Sequence, residues 1–384
     1  MHDSALPHIF LYSRNRRLPT PPSNYPSDSL LAFEIAQQPD VWPTTLERVR
    51  AAAIPPTAEQ LPVILTGAGT SAYAASAIAD AWPQAHAIPT TDLLIQSRGE
   101  IASATPLLRE GGLLISLARS GDSPESTAVV EKLQKHFPLV KHLAIVCNAD
   151  GRLTRLPGVQ VISLDPRTND RSLAMTGSFS NLVLAGLSLV RYRQLAEPLP
   201  ALCSHVARVL QKFNHVAAEV AGTCKDRIVF LTSGMQALAH EAVLKTIELT
   251  DGRVLAMAET FLGFRHGAVG FLRADTPIVC FVSSDPQKRL YELDLIEDLR
   301  RKKLGRFVIV AENAGAVTQS DWHLPAFAPF LPDALRTPFE VPWAQLLAYH
   351  LSASAGIDPD NPSPKGTITR VVQSFRIHEE IATT

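Results

Sequence analysis

The stretch 61-LPVILTGAGTSAYAASAIADAW-82 decides the fold of this chain. Val63-Ile64-Leu65 is apolar without alternation, so it reads as a strand buried on both faces, not as the half-wet strand of an antiparallel sheet. Gly67 and Gly69 end it, and an alanine-rich helix follows at once. Strand, glycine turn and helix in that order open a parallel α/β unit. The order returns in 112-GLLISLARSGDSPESTAVVEKLQKHF-137, where the turn carries serines and Pro124 suits a first helical turn.

Working outward, 142-HLAIVC-147 and 159-VQVISL-164 read as further buried strands, and 176–196 as a long apolar helix. A second cycle opens with 227-RIVFLTSG-234. A helix follows over 235–252, closed by Gly252, then a strand in 276–285, a helix over 291–303, strands within 306–315 and 321–327, and a helix over 342–356. The expected fold class is α/β, with two doubly wound parallel-sheet modules in tandem, each a three-layer α/β/α sandwich. Their bounds are 29–215, including an N-terminal helical segment, and 216–384 with a C-terminal tail; the joint near 196–225 reads as helix. Pro39 and Pro43 are expected to split the first helical segment. Residues 361–372 read as loop then strand, and residues 1–28 as a poorly ordered extension rich in Pro, Ser and Arg.

Composition narrows the function. The 384 residues are 46% hydrophobic, enough for a large core, and 36 Lys plus Arg against 37 Asp plus Glu leave a net charge of −1. Such a balance offers no broad basic face, so nucleic acid is not an expected partner. No apolar run reaches membrane-spanning length, so no membrane partner is expected. The four cysteines form no C-x-x-C pair and read as free thiols of a reducing cytoplasm.

In doubly wound sheets ligands sit beyond the carboxyl ends of the strands. Gly69, Thr70 and Ser71 in the first turn, with Arg119, Ser120, Gly121 and Ser123 in the second, are therefore the anion-binding candidates. Glycines let backbone approach an anion, and the following helices present free N–H groups and positive dipole ends. Each turn alone is equally a Gly-Ser turn or a helix cap. Gly67-x-Gly69-x-x-Ala72 with Asp92 further on also matches a dinucleotide fingerprint, although a serine-rich second turn suits a sugar phosphate better. Glu241, Lys245 and Glu248 fall on one helical stripe, either a surface ion-pair ladder or a general base with its tuning lysine. His266 lies between Gly263-Phe264-Arg265 and Gly267, as an exposed loop residue or as an acid–base group. Lys365 and Arg370 in the tail are candidates for closing over a substrate.

Taken in order, Gly67-Ala68-Gly69-Thr70-Ser71, Arg119-Ser120-Gly121-Asp122-Ser123-Pro124-Glu125-Ser126, Glu241-Ala242-Val243-Leu244-Lys245 with Glu248-Leu249-Thr250, and Gly263-Phe264-Arg265-His266-Gly267 resemble the SIS-domain sugar isomerases. The likeness covers about residue 30 to the end and is greatest to the tagatose-6-phosphate ketose/aldose isomerase type, also described as galactosamine-6-phosphate deaminase. It implies two SIS modules and a small phosphorylated amino sugar as substrate, without cofactor or metal. It also implies that Ser71, Ser120 and Ser123 bind phosphate, Glu248 is the acid–base carboxylate with Lys245 beside it, and His266 opens the sugar ring from the partner subunit. A homodimer or higher oligomer with shared sites follows from that. Ala118 and Ala268 depart from the family pattern, which has serine and proline there. SIS modules also occur as non-catalytic sugar-phosphate sensors, which often carry a DNA-binding domain and dispense with the base.

Overall fold

The computed structural model describes residues 29–52, 61–105, 108, 110–312, 321–372 and 376–378. The N-terminal extension 1–28 lies outside the described residues. Two short helices come first, α1 (Leu30–Ala36) and α2 (Gln38–Ala51). The break falls at Gln37, ahead of Pro39; Pro43 is carried inside α2. That corrects the expected interruption at Pro43. A proline there costs roughly 3 kcal/mol. The buried face of Val41, Trp42, Thr45, Leu46 and Val49 offsets it, with Trp42 Nε1 donating to Ser180 Oγ at 3.1 Å and Thr45 to Asn181 at 2.6 Å.

The first module is then β1 (Val63–Thr66), α3 (Thr70–Ala79), β2 (Ala85–Ala87), α4 (Thr90–Ile95), α5 (Arg98–Ala104), β3 (Gly112–Ala118), α6 (Pro124–His136), β4 (Val140–Val146), β5 (Val159–Ser163) and α7 (Gly177–Ala196). Helix α8 (Leu199–Thr223) makes the joint. The second module is β6 (Arg227–Thr232), α9 (Gln236–Leu249), β7 (Leu255–Thr260), α10 (Phe261–Phe264), β8 (Pro277–Phe281), α11 (Pro286–Arg301), β9 (Arg306–Ala311), β10 (Trp322–Pro325) and α12 (Asp333–Ser354). Every strand pairing is parallel.

The two sheets run β2-β1-β3-β4-β5 and β7-β6-β8-β9-β10. They are the same permutation, 2-1-3-4-5, and each has its switch point between its first and third strands. The inner strands β1, β3 and β8 are buried at every position, as their unbroken apolar runs require. One apolar cluster runs through both modules, from Ile115 and Leu117 through α7 to Phe230, Phe281 and Trp343, while two smaller clusters cover the outer face of each sheet. Helices α7 and α12 are buried on nearly all sides because they lie between the modules. Cys147 and Cys280 are buried and Cys203 and Cys224 half-buried, all four as free thiols. No helix among the described residues is long and apolar enough to cross a membrane.

The tail differs from expectation. Residues 361–372 form turns and bends, not a strand. Ile368 and Thr369 bond within the tail, and Arg370 ties it to the first module: its carbonyl accepts from Arg119 at 2.6 Å, and its guanidinium donates to the Asp170 carbonyl and to Asn169 Oδ1.

Candidate active site

The two turns of the first module meet at its switch point. Gly69 sits at φ +56° and begins α3 without any side-chain cap. A Cβ on Gly67 would come within 2.6 Å of the Ser71 backbone, so the turn can close only with glycine there. Thr70 and Ser71 are buried at the start of α3. In the second turn Gly121 takes φ +68°, and a side chain on Gly151 of the next loop would run into the Ser120 carbonyl. Asn148 donates to the same carbonyl at 3.0 Å. The Ser120 hydroxyl accepts from Asp122 N at 3.2 Å. Ser123 stands at the N-cap of α6 yet does not cap it; its hydroxyl donates to Glu125 instead. The helix-cap alternative for Ser123 is therefore not what the fold adopts.

Arg119 takes a role that its position in the turn did not announce. Its side chain is buried and its Nη1 donates to the Leu173 and Ser172 carbonyls at 3.0 and 3.3 Å, while Nη2 donates to the Arg370 carbonyl. Burial, with Arg370 nearby, pulls its pKa down from the ordinary arginine value. Both guanidiniums proposed as anion ligands, Arg119 and Arg370, are thus engaged with backbone and side-chain oxygens, and together they fasten the tail to the serine turn. Lys365 is exposed in the loop before them.

Helix α9, from the second module, packs against α3 of the first. Its stripe is not a surface ladder: Glu241 and Lys245 are fully buried, and the Glu248 side chain is 18% exposed. Thr70 Oγ1 donates to Glu241 Oε1 at 3.4 Å across the module boundary. Lys245 Nζ lies 3.5 Å from that same oxygen and forms a hydrogen-bonded ion pair with Glu248. Burial pushes the Glu241 carboxyl up to about 8, with Glu248 adding to the rise and Lys245 opposing it. Burial works against the Lys245 ammonium, but the two glutamates outweigh it and hold its pKa above the ordinary lysine value. At neutral pH Glu241 is therefore largely a neutral acid, and Lys245 is left to pair with Glu248. The outcome is a partly exposed carboxylate held by a buried cation, on a helix packed against the one whose uncapped start carries Thr70 and Ser71.

His266 follows α10, its N–H bonded to the Gly263 carbonyl at 2.9 Å. It is exposed, and Gly267 after it takes φ +108°. Among the described residues no hydrogen bond or ion pair joins it to Glu248, Lys245 or the Gly67–Ser71 turn. Asp92, the dinucleotide candidate, is exposed on α4. Its carboxylate accepts from Thr91 at 3.2 Å. Among the described residues no group of three or more His, Cys, Asp or Glu side chains is placed to hold a metal ion.

Two buried acids went unnoticed in the sequence. Asp170 accepts from Thr176 N, Ser178 N and Ser178 Oγ at the start of α7, and burial raises its pKa. Burial and the Asp170 charge push Glu34 up to about 7. Asp170 also anchors the Arg119–Arg370 fastening through its carbonyl, accepting from Arg370 Nε at 2.9 Å. Its only sequence signal was an aspartate six residues before a Thr-Gly-Ser helix start.

No protein-family model matches the chain. A Streptomyces coelicolor protein bearing the AgaS name is 37% identical over a 390-residue alignment that covers 94% of this chain and 98% of the relative. The D-galactosamine-6-phosphate deaminase AgaS of Shewanella sp. strain ANA-3 is 34% identical over 374 residues, 90% of this chain and 91% of its own length. Among solved structures, tagatose-6-phosphate ketose/aldose isomerase from Escherichia coli superposes with a TM-score of 0.78 at 29% identity, covering 92% of this chain and 97% of that one.

Proposed function

Because the chain belongs to the AgaS family of D-galactosamine-6-phosphate deaminases, with the SIS fold of the tagatose-6-phosphate ketose/aldose isomerases, we propose that it converts galactosamine 6-phosphate to tagatose 6-phosphate and ammonia. One observation carries the reading. The acid–base helix α9 of one module is docked, through Thr70 and Glu241, against the anion-type turn of the other.

The phosphate binds at Ser71, Ser120 and Ser123, with the backbone of Gly69, Thr70 and Gly121 and the open end of α3. These are neutral donors, so the anion is held without a fixed ion pair to break on release. Arg119 supports the serine turn from behind, and Lys365, exposed in the tail, is the remaining candidate to close over a bound anion. His266 shuttles a proton at the ring oxygen to open the sugar. Glu248 takes the proton from C2 and returns it to C1 while a second proton passes from the amine to O1, so the C1 carbonyl becomes an alcohol and the unsaturation moves to the C2–N bond. Water adds at C2 and ammonia leaves, so the net change is hydrolytic. The aldose and ketose phosphates without an amine interconvert by the same proton transfer, with no water consumed. Lys245 holds the Glu248 carboxylate and balances its charge as the proton comes and goes.

The exposure of His266 and its lack of a bond to Glu248 support its delivery to the site of a second copy, so the working unit is a homodimer or larger. The free thiols support a cytoplasmic setting. The deciding experiment is ammonia release from galactosamine 6-phosphate and from glucosamine 6-phosphate, with tagatose 6-phosphate formed in step. We expect ammonia and tagatose 6-phosphate in equal amounts from the galacto substrate. Ketose–aldose interconversion without ammonia overturns the deaminase; sugar-phosphate binding with neither activity makes the protein a sensor.

A further inference from the structure

The second module repeats the architecture of the first, and its switch point should therefore offer the same kind of pocket. Strands β6 and β8 stand where β1 and β3 stand. The turn after β8 reads Ser283-Ser284-Asp285, and Pro286 opens α11 just as Pro124 opens α6. Yet the place is filled. Asp333, the first residue of α12, inserts its carboxylate between the two turns. It accepts from Ser283 Oγ at 2.5 Å, Ser284 N at 2.9 Å, Ser284 Oγ at 3.0 Å, Lys288 Nζ at 3.3 Å and Arg336 Nη1 at 3.3 Å. Five donors on two oxygens, two of them cationic, are what an anion site supplies to a phosphate. A Cβ on Gly234, in the turn after β6, would meet Asp333 Oδ2 at 2.5 Å. Glycine is required there by the carboxylate itself, as Gly67 is required by its own turn.

We propose that Asp333 is a built-in occupant of a phosphate-type site in the second module, so that each chain takes one phosphosugar although it carries two switch points. Surrounding details agree. Asp333 is 6% exposed, and the hydrogen bonds from Ser283 and Ser284 and the charge of Arg336 overcome its burial to hold its carboxyl below the usual range. Arg336 is also paired with Glu340, at 3.0 Å, so it stays neutralised when Asp333 is removed, while Lys288 loses its ion pair and keeps the charge of Asp80 across the cleft. The Ser283 N–H is bonded to Glu292 at 2.8 Å and takes no part. Outside the carboxylate lies a cleft of about 650 Å³ lined by Asp80, Gln236, Lys288, Phe330 and Pro332 among others, so an anion in place of Asp333 can enter from solvent.

The test compares wild type, Asp333→Gly and Asp333→Ala, with inorganic phosphate as the probe. Phosphate titrated calorimetrically should bind once per chain in wild type and twice in Asp333→Gly. Phosphate should also raise the melting temperature of both variants by several degrees more than that of wild type, since a ligand that binds only the folded state stabilises it. If Asp333→Gly does not fold, Asp333→Ala decides: alanine favours the helix that Asp333 opens and still removes the carboxylate together with its volume. Equal phosphate shifts in wild type and in the folded variant overturn the proposal. The inference concerns the difference between variant and wild type. Failure of the deaminase reading would instead show as no ammonia from wild type, whatever Asp333 does.

Discussion

The two switch points are built from the same parts and end in opposite states. In the first module the turns after β1 and β3 present serine hydroxyls, a glycine at φ +56° and a helix start with no side-chain cap. In the second, a carboxylate from α12 takes the donors of the equivalent turns. On the proposed reading, a duplicated fold yields one anion site open to substrate and one closed by the chain's own acid. The difference arises from a single side chain brought from 45 to 50 positions further along the chain. The second module contributes in another way: its helix α9, with the Glu248–Lys245 pair, packs against α3 of the first.

The sharpest way to break this division is Glu248→Gln. Glutamine keeps the shape and cannot exchange the proton, so turnover should fall by about 10³-fold or more, within the range for loss of an acid–base group. The affinity for a phosphosugar should stay near wild type, while the melting temperature falls by several degrees because the buried Lys245 loses its charged partner. Retained ammonia release from the purified variant would remove α9 from the chemistry. A second comparison pits the serine turns against each other. Ser120→Ala should raise KM for the phosphosugar roughly tenfold, because a hydrogen bond to a charged group is worth about 1.5–3 kcal/mol, and leave the melting temperature within a degree or two. Ser283→Ala should do the reverse: it leaves Asp333 short of a donor, lowers the melting temperature by a few degrees and leaves KM unchanged. The same response from both variants would erase the distinction between an open and a filled site.

The smallest effect is a pH slope. Glu241 and Glu34 carry folded pKa values of about 8 and about 7 against an ordinary 4.5. For an acid whose pKa is raised by folding, the contribution to stability is full below its unfolded value and is lost as pH rises through the folded value. Stability should therefore decline from pH 4.5 toward pH 8, by at most about 1.4 kcal/mol per pH unit for each group. Melting curves between pH 5 and pH 8.5 should show the decline, and Glu241→Gln should flatten its upper part. An unchanged slope in that variant would mean that Glu241 is not the neutral acid of the α9 stripe.

Much of the fold was legible because its signals are local. Unbroken apolar runs mean buried parallel strands, and glycines mark the turns: Gly67 where a side chain has no room, Gly69 and Gly121 where φ is positive. Where the reading failed, packing had overruled local preference. Pro43 sits within α2 because Trp42 and Leu46 are buried, and the tail is turns and bends in which Arg119 takes the Arg370 carbonyl and the Arg370 side chain reaches Asp170. The stripe of Glu241, Lys245 and Glu248 was visible as a spacing, but whether it lay on the surface or between modules was not.

By itself, then, the sequence determined the tandem α/β architecture, the two anion-type turns and the helix with its paired charges, since each depends on residues within one or two turns of one another. Only the tertiary structure decided that α9 serves the neighbouring module's turn, that Arg119 and Arg370 fasten the tail across 251 positions, and that Asp333 fills the second switch point. Those depend on side chains that meet only when both sheets and the helices between them are packed. The burial that brings them together also decides which of their charges survive.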